Sequence, residues 1–179
     1  MASDGKLGLF FEGQRMHFAV LVILLAAVWE LSGLAGFGAG EFLGLSTMGW
    51  VALSVGDAVL HQVYVWLCWR AELHGQTLSR WFGPKAFTLY AVLFTALFAA
   101  RPILAFALGW SNRGTLDIHP WAGWGIALVL FLPAVYLMIS IRRYFSFRRA
   151  FGIDHFEPGY RSLPMVRDGI FRFSPNAMY

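Results

Sequence analysis

The sequence predicts an all-α protein: a polytopic membrane helical bundle of about four transmembrane helices, followed by an interfacial tail on the cytoplasmic face. Hydrophobic residues make up 58% of the 179-residue chain and charged residues 13%, and the mean hydropathy is +0.59. A soluble domain carries about twice that share of charge. The apolar runs are long and nearly uncharged, without the alternation over about ten residues that marks a membrane barrel, so helices are selected. The net charge of +4 belongs to residues flanking those runs and points to anionic lipid headgroups rather than to nucleic acid. The single cysteine, Cys68, lies inside an apolar run. It excludes an internal disulfide and a Cys-based zinc site and reads as a small apolar filler.

Residues 1 to 17 are short and mixed, with Asp4, Lys6, Glu12 and Arg15; Leu9 to Phe11 are placed to lie on the membrane surface. The first apolar run is about as long as a full span and lacks an A-x-A-like exit, so it is expected to be retained rather than cleaved. This first span covers about Phe18 to Ala39. Its far end is rich in glycine, and Gly36 with Gly40 forms a small-xxx-small pair that would let another helix approach closely. The second span covers about Ser46 to Trp69 and ends in Arg70, Glu72 and His74. The third covers about Ala86 to Leu108, and the fourth about Trp121 to Ile141, where Pro133 is expected to kink the helix. Trp50, Trp69, Trp81, Trp110, Trp121 and Trp124 fall near the predicted span ends, as an aromatic belt requires. The chain thus divides into a transmembrane region, 1–141, and a basic tail, 142–179.

The distribution of Lys and Arg sets the expected orientation. Lys6, Arg15, Arg70, Arg80, Lys85 and seven residues after the fourth span share one side, against Arg113 alone on the other, with Arg101 inside a span. Both termini are therefore expected in the cytoplasm.

Ionisable groups inside a span are costly and need a partner or a function. Glu30, Asp57 and Arg101 lie about eight to eleven residues from the predicted outer ends of their spans, at a depth of about 12–16 Å. Matched depth predicts that Arg101 pairs with Glu30, Asp57 or both. On the second span, Asp57, His61, Tyr64, Cys68 and Glu72 fall at offsets of 0, 4, 7, 11 and 15, one helical stripe expected to face the bundle interior. That stripe reads either as a hydrogen-bonded seam between helices or as a site where Asp57 and His61 bind a polar headgroup or move a proton. Haem ligation by His61 would need a second His at similar depth, and His17, His74, His119 and His155 all lie near span ends or in the tail.

The tail begins at Arg142 with Tyr144, Phe147 and Phe151 at helical spacing and Arg142, Arg143, Arg148 and Arg149 between them. It reads as a helix continuing into the interface and stopping at Gly152. A polar loop follows, punctuated by Pro158, Gly159 and Pro164 and carrying Asp154, His155, Glu157 and Arg161.

The last twelve residues, DGIFRFSPNAMY, resemble a signature of the integral membrane methyltransferases, the superfamily of isoprenylcysteine carboxyl methyltransferase and the phospholipid N-methyltransferases. The family pattern is approximately G-x-[YF]-R-x-x-R-[HN]-P-x-Y after a basic helix and a short loop. Here Gly169, Phe171, Arg172, Asn176 and Tyr179 match it, while Pro175 and Ala177 stand where the family usually has Arg and Pro. The resemblance implies binding of S-adenosylmethionine at the cytoplasmic face and methyl transfer to a lipid or lipid-like acceptor. It implies close backbone approach at Gly169, pairing of Arg172 with the methionyl carboxylate, and aromatic contacts from Phe171 and Tyr179. It further implies a chain truncated at its C-terminus, a non-catalytic relative, or a pocket completed in another way, because family members continue to a late acidic motif. The segment from His61 to Glu72 resembles that motif weakly. The alternative class is a non-catalytic membrane scaffold or accessory subunit.

Overall fold

The computed structural model describes residues 8, 10–12, 14–115 and 117–173. It is all-α apart from a two-residue hairpin, β1 (Glu41–Phe42) paired antiparallel with β2 (Leu45–Ser46). The helices are α1 (Arg15–Ser32), α2 (Thr47–Gly75), α3 (Thr77–Phe82), α4 (Ala86–Ser111), α5 (Pro120–Ser140), α6 (Phe147–Ala150) and α7 (Pro158–Arg161). Four helical segments are long and apolar enough to cross a membrane: α1, α2, α3 continuing into α4, and α5 with the turn that follows it.

The first span stops earlier than expected. Helix α1 ends at Ser32 rather than near Ala39, because the glycine-rich stretch turns: Gly36 and Gly38 take φ of +83° and +87°, a region costly for other residues. Gly36 and Gly40 still permit a close approach, though not between two helices. A Cβ at Gly36 would overlap the Thr115 carbonyl and one at Gly40 that of Ser111, so the stretch seats on the chain leaving α4. Thr47, fully buried, donates its hydroxyl to the same Ser111 carbonyl at 3.2 Å. Ser46 caps α2 by accepting from the Gly49 amide at 3.2 Å.

Helices α2 and α4 form the packed centre, burying Val51, His61, Tyr90, Phe94 and Ala107. Helix α1 buries none of its side chains and α5 only Ser140, which leaves broad apolar faces of the kind hydrocarbon accepts. Helix α2 runs past Trp69 to Gly75, longer than the second span expected. Beyond it, Gln76 turns the chain with φ +47°. Buried Glu72 then accepts from the Leu78 and Ser79 amides at 3.0 and 3.1 Å and from the Ser79 hydroxyl. Its carboxylate thus caps the first turn of α3.

The tail is not one continued helix. A π-helical turn, Ile141–Phe145, ends α5, and Ser146 at φ +78° redirects the chain into α6. Gly152 ends that short helix as expected, and at φ +80° it lies so close to the Trp69 indole that a Cβ would overlap it. The following segment is docked rather than loose. Ile153 is fully buried, His155 stacks on Trp69 at 4.5 Å, and Phe156 contacts Phe87 and Tyr90 at 5.5 and 5.2 Å. A second small core gathers Ile141, Ala150 and Phe171.

Candidate functional site

Two places gather the residues that the sequence singled out. The first is the tail turn. A 3-10 turn spans Gly169–Arg172 after an extended Asp168. Gly169 has φ +63°, and a Cβ there would lie 2.6 Å from the Ser140 Oγ and 2.9 Å from its Cβ. The Ile170 amide donates to that same Ser140 hydroxyl at 3.1 Å. The turn is therefore fastened to the last residue of α5. Phe171 is 3% exposed and packs on Phe145 with ring centroids 5.0 Å apart, whereas Arg172 is exposed. Of the predicted cofactor contacts, the backbone approach at Gly169 is used against Ser140 and the Phe171 ring against Phe145, while the Arg172 guanidinium faces out. Asn176 and Tyr179 lie outside the described residues.

Around the turn, Arg149 donates to the Pro164 carbonyl at 3.3 Å and lies over the Phe145 ring at 4.7 Å. Arg148 pairs with Glu157 at 3.3 Å, and Arg161 donates to the Asp154 and His155 carbonyls at 2.6 and 2.7 Å. Burial alone would raise the Asp154 pKa. The His155 ring 3.4 Å away, a backbone amide and the Arg149 charge outweigh it, and the carboxyl titrates below its ordinary value.

The second place is the stripe on α2, expected to face the bundle interior, of which Asp57, His61 and Tyr64 meet α4. Asp57 Oδ2 lies 3.9 Å from Arg101 Nε, selecting Asp57 as the partner of Arg101. Glu30 takes no such part: it is exposed, and among the described residues no ion pair includes it. The early end of α1 leaves it two residues from the helix terminus. His61 is 5% exposed and meets the edges of Phe94 and Phe98 at 4.7 and 6.4 Å. Tyr64 donates to the Tyr90 carbonyl at 3.0 Å. Cys68 is partly buried, and Glu72 is committed to α3.

Sequence reading missed four residues at these two places. Ser54 precedes Asp57 by one helical turn and has a buried hydroxyl without a hydrogen-bond partner; its spacing places it on the same stripe. Phe94 and Phe98 wall His61, and their offset of four was the available signal. Ser140, which receives the tail turn, left none.

The two places are distinct. His61 lies eight residues before Trp69, where the tail docks, which is about 12 Å along the helix. No protein-family model matches this chain, and neither a curated protein nor a solved structure does.

Proposed function

We propose that this chain is a membrane-embedded, S-adenosylmethionine-dependent methyltransferase acting on a lipid, isoprenoid or other apolar acceptor, with both termini cytoplasmic. The orientation follows from the excess of Lys and Arg beside the tail end of the helices. The observation that carries the reading is the turn Gly169–Arg172. A glycine-initiated turn in the family-like pattern is fastened to the last residue of α5 and leaves Arg172 exposed next to the exposed ring of Phe173.

S-adenosylmethionine supplies an activated methyl group on a sulfonium. The chain's own contribution is positional. Arg172 offers a planar pair of donors to a carboxylate, Gly169 and Ser140 fix where that guanidinium begins, and the apolar flank of α5 limits water at the reacting centre. Phe171 fits no direct contact in this arrangement and supports the turn from beneath. Asp57 and His61 lie too far along α2 to touch the same reacting atoms, which methyl transfer brings within about 3–3.5 Å; in this reading they act at a separate position.

A second reading, a non-catalytic membrane scaffold or accessory subunit, is favoured by the same turn's close fit on Ser140 and the burial of Phe171. The two separate at Arg172. Under the first, Arg172→Ala abolishes S-adenosylmethionine binding by the solubilised chain without moving the thermal midpoint, since the side chain is exposed. Binding as tight as the parent's would show the assignment to be wrong.

A further inference from the structure

Midway along the α2–α4 pair, Ser54, Asp57 and His61 form a polar seam against Arg101. Asp57 is ten residues from the start of α2 and Arg101 ten from the end of α4. Both lie about 15 Å in from the same end, close to the middle of a hydrocarbon layer about 30 Å thick. Around this ion pair, the Ser54 hydroxyl and both ring nitrogens of His61 are buried without a hydrogen-bond partner. In hydrocarbon each such group costs free energy. His61 stands one helical turn after Asp57 on the same face of α2, and its ring meets the edges of Phe94 and Phe98 on α4.

The charge balance restricts what such a place can receive. Asp57 and Arg101 already neutralise one another, so a ligand bearing a net charge would leave an uncompensated charge in the low-dielectric layer. An uncharged group that both donates and accepts hydrogen bonds suits it instead. Neutral His61 offers one donor and one acceptor, and Ser54 offers both. The seam also has an outlet: the Arg101 side chain is 37% exposed, against 10% for Asp57, so the cluster reaches the outer surface of the helix pair at bilayer depth. From these observations we propose that Ser54, Asp57, His61 and Arg101 form an intramembrane binding site for the uncharged, hydrogen-bonding head of an otherwise apolar molecule. Its alkyl or isoprenoid body would lie along the lipid-facing surface. This site is independent of the reading of the tail turn, and each can fail without the other.

The test uses the full chain in nanodiscs and three probes with the same ten-carbon body: decan-1-ol, decanoate and decylammonium. Calorimetry is expected to show saturable binding of decan-1-ol at least tenfold tighter than either charged probe. His61→Phe keeps a flat ring of similar size and removes both nitrogens. It should weaken decan-1-ol binding at least tenfold while the midpoint without probe stays the same or rises. Ser54→Ala is the second variant and should weaken binding several-fold. The proposal is overturned by equal or tighter binding of a charged probe, by alcohol binding that both variants leave unchanged, or by no saturable binding to the folded parent. The last result would make the seam a water-solvated helix contact only.

Discussion

Replacing Gly169 by alanine should release the tail while leaving the spans intact, and the structure gives the size of the effect. At φ +63° a residue with a Cβ sits in the left-handed region at a cost of about 1–2 kcal/mol. The added carbon would meet the Ser140 Oγ at 2.6 Å and its Cβ at 2.9 Å. Ser140 is fully buried and cannot yield freely, so overpacking adds about 1–3 kcal/mol. Together these favour the undocked tail by about 2–5 kcal/mol, or roughly thirtyfold to several thousandfold in the opening equilibrium. Chymotrypsin reads this directly, because Phe171 is 3% exposed when docked. Cleavage after Phe171 should accelerate by at least thirtyfold in nanodiscs. Ser140→Gly introduced alongside removes the overlap and should restore part of the protection, short of full recovery because the Ile170 amide loses its acceptor. A Gly169→Ala chain as resistant as the parent would refute the argument that the turn is fastened through Ser140.

Arg101→Leu should lower the thermal midpoint by stranding the Asp57 carboxylate, at a cost near the lower end of about 3–5 kcal/mol given the partial exposure of Arg101. Asp57→Leu in the same chain should recover much of that loss, and an unchanged midpoint in the single variant contradicts the pairing. Gln76→Gly should stabilise the α2–α3 corner by about 0.5–1 kcal/mol, since Gln76 holds φ +47°; a lower midpoint would count against strain there. The Asp154 carboxyl titrates below its ordinary value of 3.8. A depressed folded-state pKa contributes stability that is full above the unfolded value and disappears as pH falls through the folded one. Protection of the tail against an acid-active protease should therefore drop below about pH 4, and Asp154→Asn should remove that dependence.

The spans were legible because hydropathy and length decide them, and α4 and α5 begin within one residue of the expected positions. The end of α1 was not, because a glycine run can serve a helix interface or a turn, and only contact with the carbonyls of Ser111 and Thr115 decides which. The stripe from Asp57 to Glu72 was legible as a face. Its members' separate tasks were not, since Glu72 acts through the folding-back of α3 and His61 through two phenylalanines on α4. Matched depth offered both Asp57 and Glu30 to Arg101; the structure selects Asp57, and Glu30 was placed too deep by assuming a longer first span. In the tail, the pattern around Gly169 was readable, whereas the docking of His155 on Trp69 and the fastening to Ser140 depend on the break at Ser146, where a residue other than glycine takes φ +78°.

The most direct measurement is calorimetric titration of S-adenosylmethionine into the detergent-solubilised 179-residue chain, with S-adenosylhomocysteine as competitor. The account predicts saturable binding that the competitor displaces and that Arg172→Ala removes. A well-folded chain that takes up no S-adenosylmethionine, or takes it up equally well without Arg172, would contradict it.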